Sequence, residues 1–585
     1  MARDVDSLPY HEPGIVVILI QTSFLLFLNV VNAALDRIFY CGLLGQILVG
    51  IAWGTPGAGW LSASVEETVV QWGYLGLILL VYEGGLSTSF QSLKANLLLS
   101  SAVAFTGIAV PVGLSFPLQG LLNATPVQAF AAGAALCSTS LGTTFTVLTS
   151  SGLSSSRLGV VLTSAAMMDD VVGLVMVQVI SNLGGVNFSW IVVVRPVLVS
   201  IAFAVFVPIF CLLVLKPVTL RMNGYREAHP TGGLDRLFRR SQTAFALHTA
   251  LLIGLITGAT YAGTSNLFAA YVAGAIISWW DSDLPHPDTD RATQAVSAPE
   301  RKHPISTEDS ACVSHRNPGL GGVEDPVQTS PTTRLKDKDS QVPETDSSHS
   351  PISSNDSEDT SGPAIYHRYY HHAVSKMLQP IFFASIGFSI PITRMFRGAI
   401  VWRGVVYTSL MAFGKLVCGL WLVRFSMPPR MERLSRLVNK LKSRSMPHAW
   451  GRSEGASEPT QAPLENSAHA SPSDTANSES HSSPDPARPF SLHPPLILGL
   501  AMCARGEIGF LISGVAESKG VFSSTNDASG DSDIFLVVTW AIMLCTFAGP
   551  LGVGLSVRRV RKLQGRKNRE QDGSGKDVLG VWGVE

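Results

Sequence analysis

The sequence predicts an all-α membrane protein of about thirteen transmembrane helices in two inverted six-helix repeats, and three observations carry that expectation. Hydrophobic residues fill 46% of the 585 positions and charged residues 15%, with a mean hydropathy of +0.27, too apolar for a water-soluble chain of this size. Apolar runs approaching bilayer-crossing length recur at 14–33, 39–54, 68–86, 96–118, 127–149, 158–181, 190–216, 243–262, 264–280, 373–391, 399–424, 494–517 and 533–557. Lys and Arg between these runs alternate in side, as the positive-inside rule requires. Arg37, Lys94, Arg157 and the arginines from Arg221 to Arg240 fall on one set of connections, whereas 55–67, 119–126 and 182–189 carry none, and only Arg394 and Arg397 break the pattern. The N-terminus is therefore expected outside and the basic tail from Arg558 inside.

Along the chain this divides into a short exterior N-terminus (1–13), nine spans (14–280), a cytoplasmic insert with its lead-in (281–372), two spans (373–424), a basic amphipathic segment with a second insert (425–493), two spans (494–557) and a basic cytoplasmic tail (558–585). Segments 281–362 and 450–489, dominated by Ser, Pro, Thr, Asp, Glu and His, hold too few large apolar residues to bury a core and are expected to be disordered. Between 430 and 441, Leu434, Leu437, Val438 and Leu441 share one helical face amid basic residues, a pattern suited to an anionic membrane surface. Zero formal net charge gives no pointer to nucleic acid. Seven cysteines are scattered without metal-ligand spacing, so they read as small apolar fillers. No removable signal peptide and no cofactor are expected.

The first six spans echo the last six, with the seventh as an odd linker that inverts the halves. The second member of each half is a short helix rich in Gly and Ala, and each third member ends in a Gly-containing junction, Tyr82 to Phe90 and Phe383 to Pro391. The fifth members are broken-helix candidates: one contains Ser138, Thr139 and Ser140, whose hydroxyls and unwound carbonyls are hard ligands for a small cation, and the other contains Arg505 and Glu507. These two charges suit the opposite ends of interrupted helices. Inverted repeats with broken helices in matching positions point to a transport site at the midplane.

The sixth span, otherwise apolar or small, carries Asp169 and Asp170. Carboxylates in mid-membrane cannot face lipid, and neighbours on a helix differ by about 100° in direction. The pair is expected to line one polar cavity. Lys415, deep in the eleventh span, is the natural partner for one of the acids, because two adjacent carboxylates in low dielectric need an offsetting charge. Glu83 and His248 are weaker candidates.

In this order, the Asp169-Asp170 pair, the Ser138-Thr139-Ser140 break, Lys415, Arg505-Gly506-Glu507 and the glycine junctions resemble the monovalent cation:proton antiporter (sodium/hydrogen exchanger) family, in its paired-aspartate branch typified by bacterial sodium/proton antiporters. The resemblance covers about 14–557. It implies the sodium/proton antiporter fold with crossed discontinuous helices, a core moving against a scaffold that forms a homodimer, and exchange of sodium, potassium or lithium for protons. It assigns Asp170 as the carrier of both the transported cation and the proton, and pairs Asp169 with Lys415. The long inserts depart from the family core and suggest a eukaryotic, fungal-like member in a plasma or internal membrane. Absence of a Gly-x-Gly-x-x-Gly domain argues against the nucleotide-gated potassium efflux branch. A sodium-coupled solute symporter or a non-transporting ion sensor would use the same fold. An intramembrane aspartyl protease needs acids on separate helices, one after Gly-x-Gly, which this chain does not offer. No enzymatic activity is expected.

Overall fold

The computed structural model describes residues 10, 12–39, 41–140, 142, 152–154, 156–184, 190–229, 232–238, 240–283, 360–426, 492–523, 532–570, 579 and 582. Its principal helices are α1 (Ile15–Phe39), α2 (Gly42–Trp53), α3 (Ala63–Leu86), α4 (Leu97–Ser115), α5 (Pro126–Ala135), α6 (Arg157–Leu183), α7 (Trp190–Phe210), α8 (Ser241–Ala262), α9 (Asn266–Asp283), α10 (Gly362–Tyr369), α11 (Gln379–Phe388), α12 (Gly398–Leu416), α13 (His493–Cys503), α14 (Glu507–Ser518) and α15 (Asp533–Glu570).

Among the described residues, nine helical stretches are long and apolar enough to cross a membrane, not thirteen. The other four expected spans coincide with helices that are shorter, interrupted or less apolar: α2, α5, α9 and the run from α10 to α11. α5 stops at Ala135, because the chain must leave the helix to form the central break, and α9 ends on Asp281 and Asp283. Two boundaries also shift. The lead-in to the tenth span is already helical from Gly362, and the last helix runs past 557 to Glu570. The inserts, apart from 281–283 and 360–362, the amphipathic 430–441 segment and most of the second half of the fifth span lie outside the described residues.

The helices sort into two groups. In one, α2 packs on α1, α11 on α2 and α3, and α9 on α3 and α8; in the other, α4 packs on α5, α6 and α12, α15 on α12 and α13, and α14 on α5 and α6. The contacts repeat between the halves, so that α1–α2 matches α8–α9, α2–α11 matches α9–α3, and α4–α6 matches α12–α15. With the odd α7 between them, these halves are the two inverted repeats.

Glycines set the closest crossings, and they too occur twice. A Cβ on Gly50 of α2 would run into the Ala384 carbonyl of α11, and one on Gly387 into the Ile47 carbonyl of α2. In the mirrored crossing, a Cβ on Gly274 of α9 would strike the Tyr82 carbonyl of α3, and one on Gly85 the Tyr271 carbonyl of α9. Only the missing side chain lets these backbones touch, which explains the small-residue character of α2 and α9.

Candidate cation site

Two interrupted helices meet at the centre of the second group. α5 starts with a capping box, in which Gln128 N donates to Thr125 Oγ1 (3.3 Å) and Thr125 N donates to Gln128 Oε1 (2.8 Å), with Pro126 at the first helical position. After Ala135 the chain unwinds through Ser138, Thr139 and Ser140. Opposite it, α13 ends at Cys503, Ala504 is extended, and α14 restarts at Glu507. The breaks are stitched together by Ser140 N donating to Ala504 O (3.0 Å).

An interrupted helix exposes carbonyls with partial negative charge at one end and N–H groups with partial positive charge at the other. Both cations of the centre go to the carbonyl end of α5. Lys415 Nζ donates to Cys137 O (2.6 Å) and Arg505 Nη1 to Ser138 O (2.6 Å). Glu507 occupies the first turn of α14, where a carboxylate complements the N-terminus. These are the helix ends that the sequence offered to the two charges.

α6 carries the acid pair and is capped by Ser156 Oγ, which accepts from Gly159 N (3.1 Å). Asp169 is fully buried and accepts from Lys415 Nζ at Oδ2 (2.6 Å) and from Thr139 Oγ1 at the same oxygen (2.9 Å). Lys415 Nζ also donates to Thr139 Oγ1 (3.1 Å), so its three protons are all placed. Gly107 of α4 makes room for this pair, since a Cβ there would lie 3.1 Å from Lys415 Nζ and 3.3 Å from Asp169 Oδ2. Gly173, one turn past the acids, admits Ser138 in the same way, with its would-be Cβ 2.9 Å from that serine's Cβ.

Asp170 points elsewhere. It lines a cavity of about 600 Å³ between the two helix groups, whose wall includes Ser140, Thr163 and Glu507 on one side and Gln46 and Tyr271 on the other. Among the described residues no hydrogen bond reaches the Asp170 carboxylate, in contrast to its neighbour. The expectation that both acids line one cavity is thus corrected: the 100° step between neighbours turns Asp169 into the core against Lys415 and leaves only Asp170 on the cavity wall. Of the break residues, Ser140 reaches the cavity, whereas Ser138 and Thr139 are buried behind it. His248 is only partly buried, with Nδ1 unpartnered among the described residues, and no contact ties it to the acid pair. The glycines at 107 and 173 escaped the sequence reading, because a helical Gly carries no sign of what it faces.

A cavity at crossed helix breaks between two groups of helices, in a chain whose described residues hold nine helical stretches long and apolar enough to cross a bilayer, defines a multi-pass membrane protein. Residues 23–295 match the transmembrane part of the sodium/hydrogen exchanger family. It is 32% identical over 143 residues to the high-affinity Na(+)/H(+) antiporter NhaS3 of Synechocystis sp., covering 24% of this chain and 31% of that one. Against the probable Na(+)/H(+) antiporter GerT of Bacillus cereus it is 30% identical over 165 residues, 28% of this chain and 44% of GerT. A Na(+)/H(+) antiporter of Enterococcus hirae matches at 24% over 237 residues, 40% of this chain and 58% of its own. The chain thus spans less than two thirds of each of these relatives. The solved sodium proton antiporter MjNhaP1 from Methanocaldococcus jannaschii superposes over 94% of this chain and 97% of its own, at 11% identity and a TM-score of 0.44.

Proposed function

We propose that this protein exchanges a monovalent cation, sodium foremost, for protons across a membrane, with Asp170 as the shared binding site. The observation that carries this reading is the asymmetry of the two acids. Asp169 is spoken for by Lys415 and Thr139, whereas the Asp170 carboxylate lines the cavity and accepts from no protein donor among the described residues. A carboxylate in that setting takes either a proton or a hard cation, and the two exclude one another. Ser140 and Glu507 on the same wall are the further oxygen ligands for a sodium ion.

Exchange then needs the cavity to open to each side in turn. The cavity lies on the seam between the two helix groups, so sliding the α4–α6 and α12–α15 group along the other carries Asp170 across without dismantling the Lys415 pair. In this reading the α1–α3 and α8–α11 group is the scaffold, the protein is a homodimer in the bilayer, and both inserts and the tail are cytoplasmic. No cofactor takes part. A sodium-coupled symporter or a silent ion sensor would leave a pH gradient intact when sodium alone is added. Purified protein in sealed proteoliposomes under an imposed pH gradient is expected to dissipate that gradient on addition of sodium, with lithium and potassium compared in parallel. A gradient that survives all three cations would reject exchange.

A further inference from the structure

Past α15 the chain turns polar, yet two apolar residues there are almost wholly out of solvent. Leu579 and Trp582 are 4% and 5% exposed, although the stretch from Gln571 to Glu585 is charged, glycine-rich and too poor in large apolar residues to bury a core of its own. A turn joins the two, with Trp582 N donating to Leu579 O (3.3 Å). Burial to this degree needs a surface to cover them, and they share one apolar cluster with Leu99 of α4, Leu158 and Leu162 of α6, and Val557 and Val560 of α15. Every described member of that cluster comes from the acid-bearing group of helices and its connections, none from the α1–α3 and α8–α11 group. Trp582 also lies against Arg157, whose guanidinium carbon is 5.1 Å from the ring centroid. Arg157 opens α6, where free N–H groups already carry positive partial charge, so its cation is out of place there and an aromatic face offsets it. The same end of α6 is a tight corner. Ser156 Oγ donates to Leu153 O (2.6 Å) and accepts from Gly159 N (3.1 Å), and a Cβ on Gly159 would run into that same carbonyl.

We propose that Leu579 and Trp582 are an intramolecular latch, docked on the Arg157 end of the acid-bearing group, that fixes the start of α6 to α4 and α15. It rests on the exchange reading of Asp170, because bracing matters to transport only if this group moves as one body. Asp169 and Asp170 stand about 18 to 20 Å further along α6, at the rise of an α-helix, and neither latch residue lines the cavity. Trp582 is therefore a positioning residue, acting on the acids only through the helix. With the latch seated, α6 cannot slip against α4 and α15 at that end, and a slide of the group carries Asp170 the full distance. With the latch lost, part of each displacement is taken up as deformation at the Arg157 end, and fewer slides deliver the carboxylate to the other side. The cavity's affinity for a cation is left as it was, whereas the maximal rate falls. The docking surface thus takes an apolar peptide with one tryptophan, and its occupant is this chain's own distal segment.

The test uses the full chain in proteoliposomes and reads the rate of sodium-driven proton movement across a range of sodium concentrations. Trp582→Ala is expected to lower the maximal rate about fivefold, the scale of one cation–π contact, at an unchanged half-saturating sodium concentration. Trp582→Phe, which keeps an aromatic face, should restore most of that rate. Amide hydrogen exchange in detergent gives a second readout that does not depend on transport: the amides of Val161 to Ala165 should exchange about fivefold faster in Trp582→Ala than in the wild type, with those of α8 unchanged. A wild-type maximal rate in Trp582→Ala overturns the proposal, and so does a lowered rate with an altered half-saturation or without faster exchange at the start of α6. Should that variant fail to fold, Arg157→Gln, which leaves Leu579 and Trp582 in their apolar cluster, is read in the same way and overturned by the same results. Wild-type vesicles with no sodium-driven proton movement would overturn the exchange reading, and the amide exchange of Trp582→Ala then decides by itself whether the latch exists.

Discussion

Asp170→Asn abolishes sodium-driven proton movement while leaving the protein folded. The substitution keeps the size and polarity of the side chain but removes both the negative charge a cation requires and the proton that must be exchanged. Because no protein donor among the described residues holds the Asp170 carboxylate, its loss breaks no structural bond, and thermal unfolding should match the wild type. The flux should fall by at least about 100-fold, the low end of what one positioned proton-transfer group contributes. A folded Asp170→Asn protein that still exchanges would move the site elsewhere, with Glu507 on the same cavity wall as the next candidate.

Lys415→Met has the opposite profile, a large effect on stability. It strips the fully buried Asp169 of a 2.6 Å ion pair and leaves the Cys137 carbonyl at the end of α5 without its donor. Removing one partner of a buried pair costs about 3 to 5 kcal/mol, because the other charge stays in low dielectric uncompensated. The double variant Lys415→Met/Asp169→Leu removes both charges and should recover most of that loss. Thermal or denaturant unfolding of the purified variants measures the difference. Single and double variants of equal stability would show that the pair does not act as a unit.

The membrane class, the two halves and the position of the acids were legible in the sequence, since each rests on what a bilayer tolerates. An aspartate pair or a lysine in an apolar span has so few allowed environments that Lys415 and an aspartate could be matched across 246 positions without coordinates. Which aspartate took the lysine from geometry, and which faced the cavity, depended on the azimuth of α6, and no local pattern fixes that. Arg505 and Glu507 were readable as helix-end charges because a broken helix dictates their sign. The approach of Glu507 to the Asp170 cavity was not, because it needs the crossing of two segments far apart in the chain. Among the described residues, length and apolarity single out nine of the thirteen expected spans, for a related reason. α5 and the run from α10 to α11 are shaped by a break and a π-turn, whose backbone departs from a continuous helix where the function needs polar groups.

Proton release on sodium binding tests the central claim, that one carboxylate serves cation and proton by turns. Purified protein in weakly buffered detergent solution, at a pH where Asp170 is protonated, should release protons to a soluble indicator when sodium is added, saturably and not on addition of a bulky organic cation. Asp170→Asn should release none. Sodium binding with no release from the wild type, or undiminished release from Asp170→Asn, would contradict a shared site.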